Sequence, residues 1–257
     1  MKNYWKFLGV GFICGMFCMI GYAVRSEVMQ ASNVIGLYGL NEVDYFVQYL
    51  SMILYWILPL LIFQIVFGTF VYRHFCTASV YFFSRYPKRT RWFLKEAARL
   101  YILCIGYLVM MVLAGILSCI VFSNLIWDIG WWKSLGLYFT LFSLYLFSVT
   151  LAINIISMIS NSNVGFIAVE GVNIASIASF SLVGNLFAPE GVVLKEYEWM
   201  LRVNPFYYLV YGIRNYGEET VVAVLLFLVI VILLLLAGVA IVNRREFIVN
   251  NGEIGGM

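Results

Sequence analysis

The sequence predicts an all-α integral membrane protein of six transmembrane helices, with short re-entrant or interfacial helices between the fifth and sixth. Three observations predict it: 63% of the 257 residues are hydrophobic, only 11% are charged, and the apolar residues gather into six runs of bilayer length. A soluble domain is nearer half apolar and about a quarter charged, so no soluble core could hide this much apolar surface; the mean hydropathy is +0.94. One crossing takes about 20 apolar residues in a helix, the only open element whose backbone satisfies its own hydrogen bonds in lipid.

The runs cover residues 7–24, 49–72, 100–123, 134–158, 164–187 and 221–242, within one transmembrane domain over 1–257. The first follows Lys2 and Lys6 as a signal peptide's apolar region would, yet Arg25-Ser26-Glu27 lacks a small-x-small cleavage pattern, which predicts a retained helix. The second is expected to continue past the membrane to a turn around Tyr86 to Lys88, because Pro87 breaks a helix near its preceding residue; an amphipathic stretch then leads into the third. Between the fourth and fifth, Ile159-Ser160-Asn161-Ser162-Asn163 is a short polar turn, so these two are expected to be antiparallel neighbours. The sixth has no polar side chain and is expected to face lipid.

Charge placement sets the orientation. Residues 73–99 carry seven basic side chains, Arg73, Arg85, Lys88, Arg89, Arg91, Lys95 and Arg99, against the single acid Glu96. Basic residues collect in cytoplasmic loops, so this connector and both termini, with Lys2, Lys6, Arg244 and Arg245, are expected in the cytoplasm of a bacterial cell. The opposite connectors hold the acids Glu27, Glu42, Asp44, Asp128, Glu190, Glu196, Glu198, Glu218 and Glu219, flanked by Trp127, Trp131, Trp132, Trp199, Tyr207, Tyr208 and Tyr211. Such aromatics settle at the headgroup level, which makes membrane lipid an expected partner.

Two connectors hold more than topology requires. Residues 73–99 exceed a plain turn, and their Tyr81-Phe82-Phe83 cluster offers a partner something apolar to grip. Residues 188–219 are too charged to span and too aromatic to be a free loop. The helical spacing of Tyr197 with Leu201, then of Phe206, Leu209, Val210 and Ile213, predicts two short amphipathic helices separated at Asn204-Pro205, lying in or dipping into the outer leaflet.

Asn-Pro followed by an aromatic stretch and Gly-x-Arg, here Asn204 to Arg214, sits between the fifth and sixth helices of a six-helix layout and resembles the type-2 ATP-binding-cassette exporter permeases. The resemblance in layout covers essentially the whole chain, and its proportions are similar to the compact permeases found beside bacterial peptide-resistance ATPases. It implies a dimer of permease subunits, homo- or heteromeric, each docked to an ATPase subunit that holds ATP and Mg. By position it implies that Tyr81, Phe82, Arg85, Lys88, Arg89 and Arg91, within residues 78–91, contact the ATPase. Glu190, Asn204, Pro205, Tyr208 and Arg214 would belong to the outer gate. Many members begin with an amphipathic helix along the inner leaflet, whereas only Met1 to Lys6 precede the first run here.

The fifth run holds Glu170 and Asn173 among small residues, with Gly171, Ala175 and Ser179 at four-residue spacing. An ionisable group in the membrane faces protein or water, and a small-x-x-x-small face suits close helix contact. These five residues are candidates for the translocation path or the dimer seam, and Glu170 for a carboxylate that reaches the inner interface or pairs with a neighbour. Asn154, Gln64 and Ser118 are expected to make hydrogen bonds between helices, and Cys14 and Cys18 to pack without metal.

Catalysis within the chain is argued against. His74 is the only histidine, so neither a multi-His metal site nor a Ser-His-Asp triad can be assembled readily, and no metal site is expected. The H-E-x-x-H, G-x-S-x-G and P-loop patterns are missing, so ATP hydrolysis would belong to another polypeptide and no cofactor to this one; no nucleic-acid partner is expected. The function expected is export of an amphipathic peptide or lipid-like substrate. The alternatives are an immunity or scaffold protein that binds a peptide or lipid without turnover, and an ion-coupled carrier centred on Glu170.

Overall fold

A computed structural model describes residues 4–38, 50–81, 89–187, 198–214 and 218–244. It is all-α apart from one pair of three-residue strands, and six of its helices are long and apolar enough to cross a membrane, as a multi-pass membrane protein requires. Helix one is α1 (Tyr4–Arg25); helix two is α3 (Leu50–Phe67) followed by α4 (Phe70–Tyr81); helix three is α5 (Arg89–Phe122). Helices four, five and six are α6 (Trp131–Ile159), α7 (Ser162–Phe187) and α10 (Glu218–Arg244). Lys95, Arg99 and Arg244 mark one end of the bundle, the basic end; Glu27, Asp128 and Glu219 mark the other.

The six runs are recovered, with α5 and α10 extending into flanking charged residues. The turn at Ser160 and Asn161 makes α6 and α7 antiparallel neighbours, and Asn161 Oδ1 caps α7 by accepting from the Val164 N–H at 2.8 Å. Helix α6 is the centre of the bundle, with α5, α7, α10 and the shorter α2 (Ala31–Tyr38) and α9 (Pro205–Arg214) packed around it and Leu141, Leu146, Leu151 and Ile153 wholly buried. As expected for a lipid-facing helix, α10 leaves Val221, Leu225, Leu228, Val229, Ile232, Leu233 and Leu236 exposed.

Helix two is broken, and the break has a visible cause. In a continuous helix the Val71 N–H would bond the Phe67 carbonyl. Here Asn154 of α6 occupies that link: its Oδ1 accepts from Val71 N at 2.8 Å and Tyr72 N at 3.0 Å, while its Nδ2 donates to Phe67 O at 3.4 Å and to Thr150 O at 2.8 Å. A side chain inserted into the backbone ladder separates α3 from α4 at Gly68 and Thr69. Asn154 is thus the hydrogen bond between helices that its type and place predict, whereas Ser118 bonds its own helix at Ala114 O, 2.8 Å away. Gln64 departs further: it is 1% exposed and neither polar atom of its side chain has a partner.

The connector after helix one carries structure that composition does not announce. Strand β1 (Val28–Gln30) pairs in parallel with β2 (Asn124–Ile126), Met29 opposite Leu125. The parallel sense follows from the packing, since α1 and α5 run side by side in the same direction and deliver their chains together. Helix α2 (Ala31–Tyr38) then turns back into the bundle, burying Val34, Ile35, Leu37 and Tyr38 against α5 and α6. The Tyr38 hydroxyl lies 2.8 Å from Gly15 O and 3.3 Å from Met111 O. Gly15 is ten residues short of Arg25, so the tip of α2 reaches about 15 Å below the end of α1.

Candidate functional site

At the acidic end, the predicted pair of short helices is present as α8 (Glu198–Arg202) and α9 (Pro205–Arg214), separated at the expected Asn-Pro. Proline suits the first turn of a helix because its missing N–H would have no partner there. Asn204 serves two helices at once. Its Oδ1 accepts from Phe206 N at 2.9 Å and caps α9; its Nδ2 donates to Ser176 O at 2.6 Å and Ser179 Oγ at 3.0 Å on α7. Ser176 is eleven residues short of Phe187, so the turn sits about 16 Å below the end of α7 and the hairpin is re-entrant. Leu201, Phe206, Tyr207 and Leu209 are buried, Phe206 stacks edge-on against Phe180 at 5.4 Å, and Arg202 and Tyr207 both reach Glu219 Oε1, at 3.4 and 3.3 Å.

Of the expected outer-gate residues, Asn204 and Pro205 form the turn, and Tyr208 packs its ring 5.3 Å from that of Tyr207. Arg214 ends α9, and Glu190 lies outside the described residues. The same end holds a second anchored element that no sequence signal singled out: Asp128 accepts from Ser32 N at 2.9 Å and Gly130 N at 3.1 Å, so a carboxylate from the α5–α6 connector caps α2. Partial burial would raise the Asp128 carboxyl, but the Ser32 backbone and side chain and the Gly130 N–H outweigh it and hold the group below the usual aspartate range.

At the basic end, α5 has 34 residues, about 51 Å at 1.5 Å per residue, against a hydrocarbon core of about 30 Å. Its charged first turns therefore have length to spare beyond the apolar layer, and side chains brace them against α4. Glu96, 3% exposed, accepts from Arg99 on its own helix and lies 3.0 Å from His74 Nδ1 on α4. Phe75 and Trp92 bring their rings to 6.1 Å, and Thr90 meets Asn243 of α10 at 3.1 Å. Of the expected partner-contact residues, Tyr81 ends α4, Arg89 and Arg91 open α5 with Arg91 exposed, and Phe82, Arg85 and Lys88 lie outside the described residues.

On α7 the five candidate residues divide between two faces. Glu170, 4% exposed, turns toward the bundle with Asn173, whose Nδ2 donates to Glu170 Oε2 at 3.3 Å; the Tyr145 hydroxyl of α6 donates to Asn173 Oδ1 at 2.7 Å. Gly171, Ala175 and Ser179 lie on the exposed face, where a Cβ on Gly171 would meet nothing within 4 Å. Tyr145 is the member that sequence reasoning missed, since one tyrosine in an aromatic span carries no signal of its own. Among the described residues no group of three or more His, Cys, Asp or Glu could hold a metal ion. Comparison with protein-family models, with curated proteins and with solved structures found no match to this chain.

Proposed function

We propose that this chain is the permease subunit of an ATP-binding-cassette exporter in a bacterial cytoplasmic membrane, with both termini in the cytoplasm. The observation that carries the reading is the pair of helices braced at the basic end, where α4 is tied to the charged start of α5 by His74 and Glu96, with Arg99 holding Glu96 in place. A partner ATPase, which would bring ATP and Mg, needs a stiff handle through which its closure biases the helices. Arg85 and Lys88 of the intervening sequence, with Arg89 at the start of α5, supply charge for the contact.

Two further features fit an exporter. The α8–α9 hairpin holds to α7 through one asparagine of its own turn, Asn204, an arrangement that can release as a unit to open an exit. The exposed Gly171, Ala175 and Ser179 face suits a second permease subunit, of the same or another chain. The substrate is an amphipathic peptide or lipid-like molecule. Reversing charge at Arg85, Lys88 and Arg89 together is expected to abolish co-purification of the ATPase in mild detergent; an undiminished pull-down, or transport by the solitary chain without nucleotide, overturns the reading.

A further inference from the structure

We propose that Glu170, Asn173 and Tyr145 form a proton-exchange site, in contact with the acidic end of the bundle along the polar stripe Ser176, Ser179 and Asn204. The proposal goes beyond the exporter reading and does not depend on it. Glu170 lies eight residues from Ser162, the start of α7, or about 12 Å into the helix, and its Oε1 has no hydrogen-bond partner. Among the described residues no Lys, Arg or His pairs with it. A buried, unpaired carboxylate costs several kcal/mol, whereas the neutral acid costs far less, so a proton is the ligand that such a site accepts without needing a cavity.

The neighbours suit both protonation states. In the arrangement described, Asn173 donates to the carboxyl and accepts from Tyr145. A half-turn of the Asn173 amide presents its Oδ1 to Glu170, so that the neutral acid donates its O–H, while the Nδ2 donates to the Tyr145 oxygen. On release the carboxyl O–H breaks and water at the acidic end takes the proton. The route outward is written on α7: Asn173, Ser176 and Ser179 follow at three-residue steps, and Asn204 is bonded to the last two. The groups packed around the site are few. Helix α6 contributes Tyr145, the described side chains of α3 include no charge, α8 carries Glu198 and Arg202, and the described side chains of α9 include Tyr207 and Tyr208.

Infrared difference spectroscopy on the full chain, purified into lipid nanodiscs without any ATPase and labelled with glutamate carrying 13C at its side-chain δ-carboxyl carbon, tests this. A protonated-carboxyl band that titrates with pH is expected in wild type and is expected to be lost in Glu170→Gln. Asn173→Ala and Tyr145→Phe should each shift that band, because its position reports the hydrogen bonds to the acid. Asn204→Ala should change the rate of its hydrogen–deuterium exchange. Identical spectra for wild type and Glu170→Gln overturn the site; should that variant fail to fold, an unmoved band in both Asn173→Ala and Tyr145→Phe does so instead. Unchanged exchange in Asn204→Ala overturns the outward route. None of these readouts uses nucleotide or substrate, so failure of the exporter reading leaves them intact.

Discussion

The acidic end of the molecule holds two re-entrant elements, α2 and the α8–α9 hairpin, and they are built in opposite ways. The hairpin is amphipathic and half-covered, with Trp199 and Val203 exposed, and one residue, Asn204, turns it and fastens it to α7. Helix α2 is wedged between α5 and α6, its fastenings coming from elsewhere in the chain: Asp128 at its start and backbone carbonyls of α1 and α5 at its tip. One is latched and the other is packed. A latch can be undone by changing one side chain, whereas a wedge fails when its socket is filled.

The largest effect is expected from filling the socket. A Cβ on Gly115 would lie 2.6 Å from Tyr38 Cε2 and closer still to its hydroxyl, so Gly115→Leu must expel the ring and is expected to destabilise the fold by about 3 kcal/mol in thermal unfolding. Gly171→Leu, on an open face, should leave stability within about 0.5 kcal/mol. Next comes the latch: Asn204→Leu removes both the α9 cap and the grip on α7, for about 2 kcal/mol, and should expose a cysteine placed at the buried Leu201 to faster labelling while α2 stays protected. A hairpin that remained protected would show that it too is held by packing. Tyr38→Phe is smaller, about 1 kcal/mol, since the carbonyls of Gly15 and Met111 keep their places in helical ladders.

The smallest effect is the most selective. Because Asp128 is held below the usual aspartate range, its stabilisation of the α2 cap is fully present above the unfolded value near pH 4 and is lost as pH falls through the depressed one. Asp128→Asn should therefore flatten stability against pH on the acid side, read as a smaller drop in unfolding temperature, and should leave labelling of the hairpin unchanged.

The same contrast explains what was legible in the sequence. The hairpin announces itself through Asn204-Pro205 and the helical spacing of Leu201, Phe206 and Leu209, all local signals. Helix α2, Ala-Ser-Asn-Val-Ile-Gly-Leu-Tyr, is eight residues with no charge, too short for a spanning run and too even for a periodic face, because all of it but Ser32 and Asn33 is buried. Helix two makes the point again. Pro59 lies inside α3 without ending it, its carbonyl accepting from the Tyr107 hydroxyl at 2.7 Å, while the actual break at Gly68 and Thr69 is dictated by Asn154, far along the chain. On α7, spacing located Glu170 and its neighbours, but only the packing against α6 separates the carboxyl and amide from the small-residue face.

The clasp between the two three-residue strands bears on how the chain is made. Ser32 and the carboxylate that caps its helix are 96 residues apart, and β1 has no strand to pair with until Asn124 has emerged. As the polypeptide grows, the stretch following α1 must wait, without its partner strand, through the arrival of the second and third spans. Order there is a late event in biogenesis, coming after long-range closure, and a nascent chain arrested short of β2 would carry its first wedge unseated.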